Sequence, residues 1–140
     1  MTDRQYNSFP SGTKGEPSVL EKAAILIVDD EENLLLLLER ILSKQGYQVV
    51  TAQNSYDALA MLQRRYFQVA ILDIKMFPTD GVRLLGDIKS RSPSTEVIMI
   101  TAYPTADTRN ECIKKGASTY LTKPVDIQEL KNTVENLLSH

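Results

Sequence analysis

The 140-residue sequence has little of the chemistry that disulfides, histidine catalysis or membrane spans require, since it holds one cysteine and one histidine. The lone Cys112 cannot form a disulfide within the chain, which suits a reducing compartment, and we expect a cytoplasmic protein. The histidine is His140, the last residue, so histidine catalysis and histidine metal ligands are nearly excluded. No apolar run approaches the roughly 20 residues of a bilayer span, and the N-terminal region lacks the apolar segment of a signal peptide.

The net charge is small, at -2, so the sequence lacks the strongly basic composition that favours binding to nucleic acid or to an anionic membrane. We therefore expect this chain to bind neither directly. The length suits a single domain with a real hydrophobic core. Residues 1–22 are rich in Ser, Gly, Pro and Thr and show little apolar periodicity. They predict a flexible N-terminal arm, which leaves 23–140 as the folded domain.

Apolar segments alternate with amphipathic ones along the rest of the chain. Strands are predicted at about 23–28, 47–51, 69–73, 96–100 and 118–122. Helices are predicted at about 32–44, 55–65, 82–90 and 105–115, with a last helix that opens near 126. The connections are too long for hairpins and suit helical crossovers, so we expect an α/β domain with a doubly wound parallel sheet covered on both faces.

The first predicted helix contains an unbroken run of leucine at 34–38. Helical periodicity places some of the apolar residues of this helix on the face toward the sheet and leaves two leucines outside that face. The face expected to pack on the sheet holds Leu34, Leu37, Leu38, Ile41 and Leu42. Leu35 and Leu36 are surplus to that face. Because scattered exposed leucines are common in soluble proteins, we assign no partner surface to them.

Charged and hydroxyl side chains stand where four of the predicted strands end. Asp29 and Asp30 follow the first strand, Asp73 ends the third, Thr101 follows the fourth and Lys123 follows the fifth. The carboxyl ends of parallel strands share one edge of a sheet, so the three carboxylates converge if the first and third strands are neighbours. Like charges about 4 Å apart repel by on the order of 4 kcal/mol near a surface, so the cluster requires a cation. Only oxygen ligands are available, which favours Mg²⁺.

A carboxylate beside Mg²⁺ and a lysine can attack phosphorus and become an acyl phosphate. We interpret Asp73 as this reactive group, because phosphoryl transfer depends on positioning and charge neutralisation more than on a general base. Lys123 would neutralise phosphoryl oxygens, Thr101 would donate its hydroxyl, and Ala102 is small enough to admit the group. Each residue alone has an ordinary structural explanation, but together at four strand ends they indicate phosphoryl transfer.

The chain from about residue 23 resembles the receiver domain of two-component response regulators. The matching segments are Ile27-Val28-Asp29-Asp30-Glu31, Leu72-Asp73-Ile74-Lys75-Met76, Asp80-Gly81, Ile100-Thr101-Ala102, Gly116-Ala117 and Tyr120-Leu121-Thr122-Lys123-Pro124. The resemblance implies a flavodoxin-like fold, with a five-stranded parallel sheet in the order 2-1-3-4-5 and five helices. It also implies a regulatory phosphoacceptor domain rather than an enzyme, although such a domain assists its own phosphorylation and dephosphorylation.

The resemblance assigns roles to individual residues. Asp73 would be the phosphoacceptor, and Mg²⁺ would be held by Asp30, Asp73 and the backbone carbonyl of Lys75, with help from Asp29 through water. The phosphoryl group would be bound by Lys123, Thr101 and the backbone N–H groups of Ile74 and Ala102. Tyr120 would be the switch aromatic that turns inward as Thr101 moves toward the phosphate, and the Lys123–Pro124 bond is expected to be cis.

The same resemblance implies partners. The phosphoryl donor would be a histidine on a sensor histidine kinase or a phosphotransfer protein. Phosphorylation would change the surface formed by the fourth helix, fifth strand and fifth helix, and so control an output partner that the sequence does not identify. A homodimer is left open as one form of that output.

Two residues depart from the family pattern. Phe77 stands where proline usually follows the methionine, and the proline, Pro78, comes one place later. Val125 replaces the aromatic residue often found after Lys-Pro. Because the spacing to Asp80-Gly81 is preserved, we expect an altered loop shape and altered packing rather than a lost site.

Other readings of the sequence compete with a stand-alone switch. The segment 99–103 is similar to receivers of nitrogen-regulatory-type activators, so the chain could be the receiver part of a longer transcription regulator. An aspartyl-nucleophile phosphatase needs a second acid two residues after the nucleophile, where this chain has Lys75. Gly81 and Gly86 have the spacing of a phosphate-binding loop, but Asp87 follows instead of lysine, which argues against nucleotide binding.

Overall fold

Helices and strands alternate along the chain in the computed structural model, which describes residues 23–76 and 80–139. In these ranges the elements are β1 (Ala24–Val28), α1 (Glu32–Lys44), β2 (Gln48–Ala52), α2 (Ser55–Arg64), β3 (Val69–Asp73), α3 (Gly81–Arg91), β4 (Glu96–Thr101), α4 (Ala106–Lys114), β5 (Thr119–Thr122) and α5 (Ile127–Leu138). The predicted α/β alternation is confirmed. The arm proposed for 1–22, the departures at 77–78 and the terminal histidine lie outside the described residues.

All strands pair in parallel, and the sheet order is β2-β1-β3-β4-β5. This is the order that the family resemblance implied. In the register, Val28 of β1 pairs with Leu72 of β3, and Asp73 pairs with Ile100 of β4. The residues that follow β1 and β4 therefore flank the end of β3 at one edge of the sheet.

The central strands β1 and β3 are buried at every position, because helices cover both faces of the sheet. On one face, α1 and α5 pack on a cluster that includes Ile25, Ile71 and Leu130. On the other face, α2, α3 and α4 pack on a cluster that includes Leu26, Leu85 and Cys112. None of the described helices has the length and apolar character that crossing a membrane requires.

The predicted packing face of α1 was wrong at two leucines. Leu35 is buried with 4% of its surface exposed, whereas Leu37 is 46% exposed. The buried stripe is Leu35, Leu38 and Leu42, a narrower set than the one predicted. An unbroken leucine run satisfies helical periodicity in more than one rotation about the helix axis, so contact with the sheet decides which leucines are buried.

Four of the helices begin with a side-chain cap. The side chains of Asn54, Asp80, Thr105 and Asp126 each accept a hydrogen bond from the backbone N–H three residues later. Each bond satisfies a backbone donor that the first turn of its helix would otherwise leave unpaired. Helix α1 differs, because the side chain of its N-cap residue Glu31 makes no capping hydrogen bond.

Gly81, the first residue of α3, lies against the end of β3. Its N–H donates to the carbonyl of Ile74 at 2.8 Å. A Cβ atom at this position would collide with the carbonyl oxygen of Asp73 and would lie 2.9 Å from the Cα atom of Ile74. Only glycine therefore lets the chain return this close to the strand end.

We expect Gly81→Ala to lower the free energy of unfolding by about 1–3 kcal/mol, because the new methyl group meets backbone that cannot yield cheaply. Gly86→Ala in the same helix is the matched control, since a Cβ atom there meets nothing within 4 Å. That control should stabilise the protein by up to about 1 kcal/mol, because alanine has the higher helix propensity. Urea unfolding would measure both, and equal effects would contradict the prediction.

Candidate functional site

Three carboxylates meet at the edge of the sheet where β1 and β3 end. Asp29 and Asp30 follow β1, and Asp73 is the last residue of β3. One carboxylate oxygen from each lies within 4.8 Å of those of the other two. Asp29 and Asp73 are buried, whereas Asp30 is exposed. The convergence predicted from the strand ends is confirmed, and it follows from the adjacency of β1 and β3.

Lys123 brings a positive charge to the same place. Its Nζ atom lies 3.0 Å from Oδ2 of Asp29, 3.4 Å from Oδ2 of Asp73 and 3.8 Å from Oε1 of Glu31. Strand β4 separates β5 from β3, so the lysine stem has to reach past one strand to make these contacts. The Lys123–Pro124 peptide bond is cis, as the resemblance implied.

Backbone hydrogen bonds orient the two buried carboxylates. Oδ1 of Asp29 accepts from the N–H of Glu31 at 2.8 Å, and Oδ1 of Asp73 accepts from the N–H of Lys75 at 3.3 Å. In both residues the other oxygen is the one that faces Lys123. The ammonium group therefore bridges the ends of β1 and β3.

The charges in the site do not balance. Burial, and then the negative charge of Asp29, raise the pKa of Asp73 to about 6, although Lys123 acts in the opposite direction. Burial lowers the pKa of Lys123, but hydrogen bonds and charge from Asp29 and Asp73 outweigh burial and hold it above its usual value. The surplus of negative charge and the oxygen-only ligand set both fit a hard divalent cation such as Mg²⁺.

Thr101 and Ala102 lie at the end of β4, beside Asp73. Thr101 is buried, and its Oγ1 atom accepts from the N–H of Tyr103 at 3.0 Å. Ala102 is exposed and borders the groove that contains Lys123. The structure therefore brings the predicted hydroxyl and small residue to the edge of the sheet where the carboxylates meet.

The predicted role of the Ile74 N–H group does not fit the structure. That N–H donates to the carbonyl of Ile100 at 2.9 Å and so continues the ladder between β3 and β4. The N–H of Lys75 faces the carboxylate of Asp73 instead. The sequence could not show this, because the choice depends on where strand pairing ends.

Tyr120 on β5 is half-buried against the core cluster that contains Met99 and Cys112. Its hydroxyl is shielded from solvent and has no hydrogen-bond partner among the described residues. A buried hydroxyl without a hydrogen-bond partner costs about 1–3 kcal/mol, so the unpaired hydroxyl destabilises this conformation of the Tyr120 side chain.

Glu31 is a member of the site that the sequence analysis quoted in a motif but gave no role. Its carboxylate is the third acidic group within 4 Å of the Lys123 ammonium, at 3.8 Å. The signal in the sequence was an uninterrupted acidic run from Asp29 to Glu32. Such a run is common on exposed surfaces, so only the contact with Lys123 distinguishes Glu31.

Known proteins match both the sequence and the fold. The family model described as the response regulator receiver domain matches residues 25–135. A solved receiver domain protein (CheY-like) from Methanospirillum hungatei JF-1 has a TM-score of 0.79 and 32% identity, covering 82% of this chain and 93% of that one.

Curated relatives differ in how much of their own length the match covers. The transcriptional regulatory protein ZraR of Salmonella typhimurium is 35% identical over 85% of this chain, and the DNA-binding transcriptional regulator NtrC of the same organism is 36% identical over 86%. The chain spans about a quarter of these proteins, 27% and 26% of their lengths. Sporulation initiation phosphotransferase F of Bacillus subtilis is 35% identical over 81% of this chain, and there the match covers 92% of the relative.

We expect Asp73→Asn to raise the free energy of unfolding in metal-free buffer at pH 8 by about 1–3 kcal/mol, since one pKa unit corresponds to about 1.4 kcal/mol. The folded protein binds the Asp73 proton more tightly than the unfolded chain, so ionisation destabilises the fold. That cost is complete above the folded pKa of about 6 and fades as the pH falls toward the ordinary value of 3.8. Asp73→Asn should therefore gain less at low pH.

Urea unfolding of the wild type and Asp73→Asn, at pH 8 and at a pH near the ordinary carboxyl value, would measure this difference. Asp107→Asn, which removes an exposed carboxylate from the first turn of α4, controls for the loss of one negative charge. A stability gain that does not change with pH would show that ionisation of Asp73 is not its source.

Proposed function

This chain belongs to the response regulator receiver domain family of two-component signalling, and on that premise we propose that Asp73 is its phosphoacceptor. The observation that carries the proposal is the position of the Asp73 carboxylate, which is buried at the end of β3 with Lys123 Nζ at 3.4 Å. With a pKa of about 6 the group is ionised at neutral pH, which a nucleophile requires.

The proposed reaction moves one phosphoryl group. An oxygen of Asp73 forms a bond to phosphorus while the bond from phosphorus to the donor atom, a histidine nitrogen or an acyl oxygen, breaks. The donor atom keeps that electron pair, and Asp73 becomes an acyl phosphate. The ammonium of Lys123 and the N–H of Lys75, which already face the carboxylate, supply positive charge and a hydrogen bond to the phosphoryl oxygens.

We propose that Asp29, Asp30, Asp73 and the backbone carbonyl of Lys75 hold Mg²⁺. The ion would neutralise charge on the phosphoryl oxygens during transfer. At the neighbouring strand end, the hydroxyl of Thr101 and the N–H of Ala102 would bind the group after transfer. Asp29 is also paired with Lys123, so it fixes the ammonium as well as contributing charge to the metal site.

The proposed output begins at Thr101. Its hydroxyl oxygen accepts from Tyr103 in this structure, and it remains able to donate its own proton to a phosphoryl oxygen. Movement of Thr101 would change the space available to Tyr120, whose hydroxyl lacks a partner in its present position among the described residues. We propose that the pair transmits phosphorylation to the surface of α4, β5 and α5, where Ile113 is 47% exposed.

An apolar groove of about 440 Å³ borders the site and suits a protein donor. Its lining is Glu31, Leu34, Leu37, Ala102, Lys123, Pro124, Val125 and Ile127. We propose that a histidine-bearing helix of a sensor kinase or phosphotransfer protein docks here, because the groove leads directly to Lys123. Val125, which replaces the usual aromatic residue, forms part of this wall and is consistent with an open groove.

The curated relatives support two alternatives for the whole protein. The match to about a quarter of ZraR and NtrC supports a longer transcription regulator, whereas the match to 92% of the sporulation phosphotransferase supports a stand-alone domain.

An aspartyl phosphatase is disfavoured, because Lys75 stands two residues after Asp73, where such an enzyme has its second acidic residue. Cys112 is buried and unpaired, which supports a reducing, cytoplasmic location.

We expect incubation with acetyl phosphate and Mg²⁺ to add one phosphate to the wild type, detected by intact-mass analysis, and none to Asp73→Asn. Chelation of Mg²⁺ should suppress the adduct, since the carboxylate cluster would then repel the anionic donor. Asp107→Asn is the matched control and should be labelled like the wild type. Equal labelling of Asp73→Asn would move the site elsewhere, and multiple turnover of phosphomonoesters would favour the phosphatase.

We expect Leu37→Gln to slow phosphorylation by a protein kinase at least tenfold while leaving labelling by acetyl phosphate within about twofold, because burial of one leucine contributes about 1.5–3 kcal/mol and glutamine adds no charge to the groove. Leu36→Gln is the matched control, since Leu36 is 54% exposed and does not line the groove. The cognate kinase would be found by profiling the purified sensor kinases of the source organism. Equal loss in both variants would argue against docking in the groove.

A further inference from the structure

Glu31 lies at the mouth of the proposed phosphorylation site with its charge directed at Lys123. Its side chain is 61% exposed, yet Oε1 lies 3.8 Å from the ammonium of Lys123, whose side chain is 17% exposed. The residue occupies the N-cap position of α1, but its side chain does not cap that helix. It also lines the groove that leads to Lys123. The carboxylate is therefore free of a role in α1 and faces the path to the site.

We propose that Glu31 is a charge gate that slows the phosphorylation of Asp73 by small anionic donors and so favours donors whose phosphoryl group is delivered by a protein. The proposal rests on the proposed function of Asp73. An incoming phosphoryl group needs the Lys123 ammonium, which Glu31 shares with Asp29 and Asp73. Of these three carboxylates Glu31 is the exposed one, so it is the charge that a donor in solution meets first.

The size of the effect follows from distance and screening. A phosphoryl oxygen hydrogen-bonded to Lys123 would lie within about 7 Å of the Glu31 carboxylate, which is inside the Debye length of about 10 Å at 0.1 M salt. Because the gate is exposed to water, its effect is modest compared with that of a buried charge. Neutralising Glu31 should raise the second-order rate constant for a dianionic donor about two- to tenfold at low salt.

Donor charge separates this role from a structural one. Acetyl phosphate carries more net negative charge than phosphoramidate at neutral pH, so removal of Glu31 should accelerate the first donor more than the second. A residue that only held Lys123 in position would slow both donors when removed, and it would do so equally at low and high salt. The ratio of the rate constants for acetyl phosphate and phosphoramidate therefore measures the electrostatic effect of Glu31.

The experiment measures labelling of Asp73 by intact mass with saturating Mg²⁺, using both donors at low salt and near 1 M salt, where the Debye length is about 3 Å. The variants are Glu31→Gln and Glu31→Lys. The matched controls are Glu32→Gln and Glu32→Lys, because Glu32 is the next residue, is exposed, and is not among the carboxylates paired with Lys123 in the described ranges. Thermal unfolding verifies that each variant folds like the wild type.

The expected result is a rate that rises from wild type to Glu31→Gln to Glu31→Lys, more for acetyl phosphate than for phosphoramidate, with most of the gain lost at high salt. The Glu32 variants should stay close to the wild type. An unchanged or lower rate in the Glu31 variants, or the same gain in the Glu32 variants, would overturn the gate while leaving Asp73 as the acceptor. Absence of Asp73 labelling in the wild type would instead overturn the proposed function.

Discussion

One ammonium group shared among carboxylates from separate segments of the chain is the interaction on which this site depends. Lys123 pairs with Asp29 at 3.0 Å and with Asp73 at 3.4 Å, so it joins the ends of β1 and β3 from a strand two places away in the sheet. The pairing offsets part of the repulsion between the carboxylates but leaves them in excess. The site is therefore built to receive further positive charge.

The fold supplies the rigidity that such a charged cluster needs. Strands β1 and β3 are buried along their whole length and are covered by helices on both faces, so the ends that carry Asp29 and Asp73 cannot separate without disrupting the core. Gly81 adds a second constraint, because the start of α3 lies against the carbonyl of Asp73. Repulsion that would push exposed residues apart is here opposed by the packing of the central strands.

Much of this arrangement could be predicted from the sequence. Charged and hydroxyl residues stand directly after apolar strands, and the carboxyl ends of parallel strands share one edge of the sheet. The strand order came from the resemblance, and the convergence of Asp29, Asp30 and Asp73 followed from it. The errors have a different physical origin. A run of leucines does not specify which of Leu35 and Leu37 meets the sheet, and the donor role given to Ile74 failed because its N–H continues the strand ladder. The first depends on the rotation of α1 about its axis and the second on where strand pairing ends, and the sequence pattern alone determines neither.

Phosphorylation of Asp73, as proposed, would add negative charge to a cluster in which the carboxylates already exceed the cations, so the switch depends on the groups that bind the added charge. Phosphorylation would replace the Asp73 carboxylate by a group that carries more negative charge and three acceptor oxygens. Lys123 and a bound cation would then interact more strongly with that group, while the Thr101 hydroxyl, now an acceptor for Tyr103, would gain a new acceptor for its proton. Those new interactions, rather than the surplus of negative charge, would therefore distinguish the proposed phosphorylated state from the unphosphorylated one.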